Sequence, residues 1–307
     1  MEYEGLCPLL RKGDKIFMKK IAVVTDSNSN ITQQEAKELK DIYVIPMPFI
    51  VDGEEYFEDV NLTQEGFYEK LLAGADISTS QPSVGQVTEL WDELLKNYDQ
   101  IVHIPMSSAL SESCNSAKNY AKDYNGKVIV VDNKRISITL RQSVLDALTL
   151  AKKGYDGEEI RQELEETQSD SSIYIMVDTL KYLKKGGRIT PAAAAIGTLL
   201  KIKPVLQIQG GKLDQYAKVM NEKVARMKMI GAMKHDFETR FAEFVANGEI
   251  EIEMAYTNCE SKAEEFKKQV QEAFPNVKIG PMVPLPLSIA CHIGSGALAV
   301  ACARVLK

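Results

Sequence analysis

Short apolar runs, each cut off by a hydroxyl-bearing loop and a helix start, set what this chain can fold into. Residues 20–26 (KIAVVTD) form such a run, nearly continuous in apolar character, which suits a strand buried on both faces of a parallel sheet. The polar segment SNSN follows, and Thr32 with Glu35 makes a T-x-x-E capping box for a helix reaching about Lys40. The pattern returns at residues 101–105 (IVHIP) and 127–132 (KVIVVD), separated by a helical stretch at about 111–124. Strand, helix, strand at this spacing implies βαβ units, because parallel neighbours need a crossover longer than a hairpin turn. The first half is therefore expected to be an α/β, Rossmann-like domain built on a parallel sheet.

Between these units the signals are more varied. Residues 42–51 are strand-like but contain Pro46 and Pro48, which predicts an edge or irregular strand. Asp52-Gly53 is a tight-turn signal, and Thr63 can cap a helix with Phe67, Leu71 and Leu72 on one face. Ser83 precedes a helix whose Val87, Leu90, Trp91, Leu94 and Leu95 make a core-facing stripe, so Trp91 is expected in the core. Residues 158–170 are an acid-rich helical segment with Arg161 as the only base, read as a solvated face and the exit from the first domain. Beyond it the pattern is α+β: a strand at 173–177, a short helix at 178–185 closed by Gly186-Gly187, and a hairpin of 203–208 with 212–219. A long helix at about 222–245, a strand at 251–256, a helix at 261–273, a strand at 277–283 and a last helix from about Gly296 complete it. The expected division is residues 1–17 as an N-terminal extension with Met18 as the start of the folded unit, 18–171 as the α/β domain, and 172–307 as the α+β domain.

Composition excludes several classes. With 37 Lys+Arg against 43 Asp+Glu the net charge of −6 gives no general attraction to nucleic acid. No apolar run approaches the roughly 18 residues of a spanning helix, and residues 1–17 lack the apolar centre of a secretory signal. Cysteines at 7, 114, 259, 291 and 302 show no C-x-x-C pair and no zinc-type spacing, so reduced thiols in a cytoplasmic protein without a metal site are expected. Phosphate-loop, zincin, EF-hand and G-x-S-x-G motifs are absent. Residues 294–299 match G-x-G-x-x-A, but too few residues follow to complete a dinucleotide-binding unit.

Three places could carry chemistry. The hydroxyl clusters 78–83 (STSQPS) and 107–111 (SSALS) lie where strands end and helices begin, a location suited either to simple helix capping or to holding an anion. His103 reads as a core residue and His235 as solvent-facing. His292 stands before Gly-Ser-Gly and reads either as a packing or capping histidine or as an anion contact at the start of the final helix. The stretch Lys181, Lys184, Lys185, Arg188 is either a solvated helix end or a docking face for an acidic or phosphate-bearing partner, with Lys201, Lys203 and Lys212 as extensions.

Six ordered motifs together resemble the DegV family: VVTDS near the start, TSQPS at 79–83, SSALS at 107–111, VDTLKYLKKGGRI at 177–189, LLKIKPVL at 199–206 and HIGSGA at 292–297. The resemblance covers essentially residues 18–307. It departs from the family pattern where TDSNSN stands for TDSTAD, SSALSES for SSxLSGT, and GSG for GPG.

The resemblance implies a two-domain α/β protein that binds a long-chain fatty acid in an apolar tunnel, with its carboxylate near the domain interface. It further implies a carrier rather than an enzyme, with no cofactor, that hands the bound acid to a separate fatty acid kinase for phosphorylation to an acyl phosphate. Carried over motif by motif, Thr79, Ser111 and His292 would hold the carboxylate. Ser80, Ser108 and Gly294 are candidate supports, and Lys184, Lys185 and Arg188 a candidate kinase-docking face. Loading would involve transient membrane contact without a transmembrane segment. The alternative is an acyl transferase or esterase using Ser111 and His292, against which the missing nucleophile elbow counts.

Overall fold

The computed structural model describes residues 19–58, 60–195 and 202–306. The expectations for residues 1–17, for Met18 as the start, for residues 199–201 of the LLKIKPVL motif and for Lys201 fall outside them.

The expected parallel sheet is present. It has four strands in the order β2-β1-β6-β7, formed by β1 (Ile21–Asp26), β2 (Ile42–Ile45), β6 (Gln100–Ile104) and β7 (Val128–Val130), all mutually parallel. α1 (Gln33–Leu39) is capped by Thr32 as predicted, and α3 (Val84–Leu94) by a full Ser83–Gln86 capping box. α3 and α4 (Ser113–Ala121) cover one face of this sheet around the fully buried Trp91.

The prolines at 46 and 48 do more than roughen an edge. They turn the chain out of the parallel sheet into a separate antiparallel one, β4-β3-β5, made of β3 (Phe49–Val51), β4 (Glu54–Tyr56) and β5 (Ile77–Thr79). Asp52 and Gly53 both have positive φ (52° and 87°), as a type I′ hairpin turn requires. α2 (Gln64–Leu72) packs on this sheet through Phe67, Tyr68 and Leu71, whereas Leu72 is 70% exposed; the inward stripe takes Tyr68 instead.

A six-stranded sheet forms the second half, ordered β10-β9-β8-β13-β11-β12. Its strands are β8 (Ser171–Met176), β9 (Lys203–Ile208), β10 (Asp214–Val219), β11 (Ile250–Tyr256), β12 (Lys278–Pro284) and β13 (Leu298–Arg304), antiparallel except for β11 and β12. α11 (Glu260–Ala273) makes the crossover between that parallel pair, and with α9 (Glu222–Glu238) it covers the outer face. The single long helix expected to about 245 is broken after α9, and α10 (Ala242–Ala246) follows.

Two corrections matter for the site. The last helix expected from about Gly296 is instead β13, central in the sheet between β8 and β11. Its alanine-rich run has good helix propensity, but both faces are buried: Ala299 and Ala301 on the inner side, Leu298, Val300 and Cys302 on the outer, so tertiary burial overrides local preference. The second is α5 (Ser137–Lys152), for which the sequence reading made no assignment, and which lies between the two large sheets in one shared core. Thr139, Gln142, Ser143 and Asp146 are buried along it beside Ile138, Leu140 and Val144, so no single apolar stripe announces it. α6 (Gly157–Glu166) then leads into β8. No helix among the described residues is long and apolar enough to cross a membrane.

Candidate functional site

The loops leaving the carboxyl ends of β1 and β6, the end of β5, and two short helices of the second half enclose a cavity of about 220 Å³. α12 (Leu287–Ile293) supplies one wall, and its small size makes its two faces easy to assign. Leu287, Ala290 and Cys291 pack on Phe49, Phe67 and Ile77 of the small sheet and α2. That contact turns Ser288, Ile289, His292 and Ile293 toward the cavity. α7 (Lys181–Gly186) adds Leu183, and Arg188 just beyond it completes that side.

One end of the cavity is polar. Thr79, at the end of β5, and His292 are in contact, Oγ1 to Nε2, at 2.9 Å. Ser80, Gln81 and Ser111 stand around the same opening, and Ser111 Oγ also accepts from Ser113 N at 3.2 Å. His292 is not ahead of a helix start, as expected from the sequence; it sits in the last turn of α12, which Gly294 closes. A helix C-terminus alone favours the imidazolium. Here burial, helped by the Arg188 guanidinium, pushes the pKa down to about 4, so the ring is neutral at physiological pH.

The other end is apolar. A second cavity of about 50 Å³ adjoins the first and shares Ile136, Leu213, Ile289 and Ile293 with it. Ile173, Ile175 and Ile208 of the inner sheet face line its far part, with Ala255 and Ala299. The cavity that carries the hydroxyl groups and the imidazole thus borders aliphatic side chains between α5 and the six-stranded sheet.

The remaining sequence candidates divide. Ser108 is turned away from the cavity: its N–H donates to Asp132 Oδ1 at 3.2 Å and its Oγ accepts from Lys134. Gly294 touches Tyr182 rather than the cavity. Lys185 pairs with Asp76 and donates to the carbonyl of Ile77 at 2.8 Å, joining α7 to β5. Arg188 belongs to the cavity wall rather than to an open docking face: its Nε donates to the Leu110 carbonyl at 3.1 Å and its Nη1 to that of Gly186. Lys184 and Lys185 are both exposed and Arg188 is half-buried.

Sequence reasoning missed the role of Asn28 and Ser288. Ser288 Oγ donates to Asn28 Oδ1 at 2.5 Å in the cavity wall, and Asn28 Nδ2 donates to Met106 Sδ at 2.9 Å. Asn30 adds a bond to the Pro284 carbonyl at 2.8 Å and accepts from Ser137 Oγ at 2.7 Å. The SNSN loop therefore fastens the parallel sheet to α12, β12 and α5. Its position at the carboxyl end of β1, where open α/β sheets place ligands, was the available signal. Beneath it Asp26 accepts from the N–H groups of Asn28 and Met106 at 3.0 and 2.9 Å, while burial raises its pKa to about 6.

A family profile described as "Uncharacterised protein, DegV family" matches residues 20–305. The chain belongs to the DegV family. A DegV domain-containing protein of Staphylococcus aureus is 31% identical over 286 residues, which cover 92% of this chain and 98% of that one. Among solved structures, a fatty-acid-binding DegV family protein of Thermus thermophilus superposes with a TM-score of 0.84 at 29% identity, covering 93% of this chain and 100% of its own. A fatty-acid-binding DegV family protein of Streptococcus agalactiae gives a TM-score of 0.82 at 28% identity, covering 94% and 100%. The three sheets described above thus superpose on the fold of DegV family proteins.

Proposed function

We propose that this DegV-family chain binds a long-chain fatty acid, its carboxylate at Thr79, Ser111 and His292 and its acyl chain running past Ile289 and Ile293 toward Ile173 and Ile175. The observation that carries the reading is the cavity itself, polar at one end and aliphatic along the rest. That the related solved structures are described as fatty-acid-binding supports it. Burying about 14 methylenes at roughly 0.8 kcal/mol each offers on the order of 11 kcal/mol before the costs of association, so affinity lies mainly in the tunnel. The head group is held for orientation. A buried carboxylate without partners is costly, and two hydroxyls, a neutral imidazole donor and the positive charge of Arg188 answer that need.

The bound acid is then presented to a separate kinase. A carboxylate oxygen attacks the terminal phosphoryl group of the donor held by that partner; the acyl–phosphate bond forms as the bond to the leaving group breaks. The carboxylate is already ionised, so no residue of this chain needs to act as a base, and the chain serves as a carrier. Exposed lysines beside the cavity, Lys184 foremost, are the surface to which kinase or membrane would dock during transfer and loading. The hydrolase reading has less support: His292 Nε2 engages Thr79, and Ser111 Oγ accepts from a backbone N–H, so the base is not on the nucleophile.

Mass spectrometry of lipid extracted from the purified chain tests the proposal. A long-chain fatty acid near one equivalent is expected. Absence of lipid, combined with ester hydrolysis lost in Ser111→Ala, would replace the carrier with a hydrolase.

A further inference from the structure

α7 and α12 meet through two rings, each set where the opposite segment has no side chain. His292 lies on Gly186, the last residue of α7: a Cβ there would stand 2.2 Å from His292 Nδ1 and 2.7 Å from Cε1. Tyr182 of α7 lies on Gly294, just past α12, where a Cβ would stand 2.7 Å from Cδ2 and 2.8 Å from Cε2 of the ring. Atoms in a packed interior do not approach so closely, so a side chain at Gly186 must displace the imidazole or the helix that bears it. The helix has little freedom to move, because Leu287, Ala290 and Cys291 bind its other face to the small sheet. The ring would have to leave Thr79.

Gly186 and its neighbour are needed for different reasons. Gly187 has φ +68° with open space where its Cβ would go, so its requirement is the left-handed backbone of a helix cap. Gly186 has no such φ; its requirement is room for the imidazole. Its carbonyl also accepts from Arg188 Nη1, so one residue orders both the ring and the guanidinium that face the cavity.

We propose that Gly186 is a positioning residue: its bare backbone is the seat of the His292 ring and sets where Nε2 points. This rests on the reading of His292 as a carboxylate contact. The test compares Gly186→Ala, Gly187→Ala, His292→Ala and the double variant Gly186→Ala/His292→Ala. Oleate affinity is read by displacement of cis-parinaric acid, and the imidazole is read by its nitrogen resonances. Gly186→Ala is expected to shift the His292 resonances and weaken oleate about threefold, as His292→Ala does, with no further loss in the double variant. Gly187→Ala is expected to lower Tm while leaving the resonances and the affinity in place. Unmoved His292 resonances in Gly186→Ala, or additive losses in the double variant, would overturn the seat. If Gly186→Ala does not fold, recovery of folding in the double variant supports the proposal and failure to recover overturns it. If His292→Ala leaves oleate affinity unchanged while Gly186→Ala still shifts the imidazole signals, the carboxylate reading falls and the seat stands.

Discussion

His292 and His103 show how burial rather than residue type decides what a histidine does. Both are neutral at physiological pH, with His292 held near pKa 4 and His103, fully enclosed, near 3. A neutral His292 acts as a donor or acceptor beside Thr79. In the proposed complex it would give the head group direction without carrying charge itself, so Thr79→Ala, Ser111→Ala and His292→Ala should lower acyl-phosphate yield with the proposed kinase about tenfold or more each. Chain retention, which the proposal assigns to the apolar cavity, should fall less; equal losses in the two assays would refute the division of labour. His103 packs edge-on against Trp91 at 5.4 Å and lies outside the lining of the cavity that holds Thr79 and His292. Its folded pKa lies below the unfolded value of about 6.5, so the unfolded state binds the extra proton and stability is lost as pH falls from there toward 3. His103→Phe should therefore gain on the wild type by a few kcal/mol across that window, read from denaturant unfolding at several pH values. At this scale the hydroxyl clusters at 78–83 and 107–111 were legible as residue types at strand ends, and Thr79 and Ser111 from them line the cavity; His292 was singled out beside Gly-Ser-Gly and by its family motif, and lies in the last turn of α12 rather than ahead of a helix. Arg188 was not legible in this way: local sequence shows a basic run, and only the path of α7 shows that its last member turns inward.

Among the elements, the strands of the parallel sheet and the capped helices α1 and α3 were legible because an apolar run with a capping residue is a local signal. α5 was not, since its polar residues are answered within the helix or by distant partners: Gln142 Nε2 donates to Asp146 at 2.8 Å, Asp146 also accepts from the Leu306 N–H at 3.0 Å, and Arg141 forks onto Glu35. β13 was misread for the opposite reason, a local helix preference cancelled by burial on both faces. These two elements contribute Ser137, Ile138 and Ala299 to the apolar cavity, so its lining was less legible in the sequence than the hydroxyl-bearing loops at the polar end. Ala255 and Ala299 sit at the far part of that space as its smallest side chains. Ala255→Leu adds three carbons there and should shift the extracted fatty acids to shorter chains, at a stability cost of about 1–3 kcal/mol. An unchanged chain-length distribution would place the chain terminus elsewhere.

The whole molecule is two large sheets that share one apolar core through α5, with a third, small sheet holding α12 in place. Chain segments far apart in sequence converge at the cavity: β5 brings Thr79, the loop after β6 brings Ser111, α7 leads to Arg188, and α12 brings His292. The convergence could be foreseen from ordered family motifs, but the bonds that secure it, from Asn28 to Ser288 and from Asn30 to Pro284, exist only once the halves are assembled. The central claim is that a carboxylate is held at this junction with its chain behind it. Oleate labelled with carbon-13 at its carboxyl carbon reports on that directly by NMR. A single slow-exchanging carboxyl resonance is predicted, displaced from that of free oleate, with its position altered by Thr79→Ala and by His292→Ala. A bound resonance indifferent to both substitutions, or none distinct from free oleate, would contradict the account.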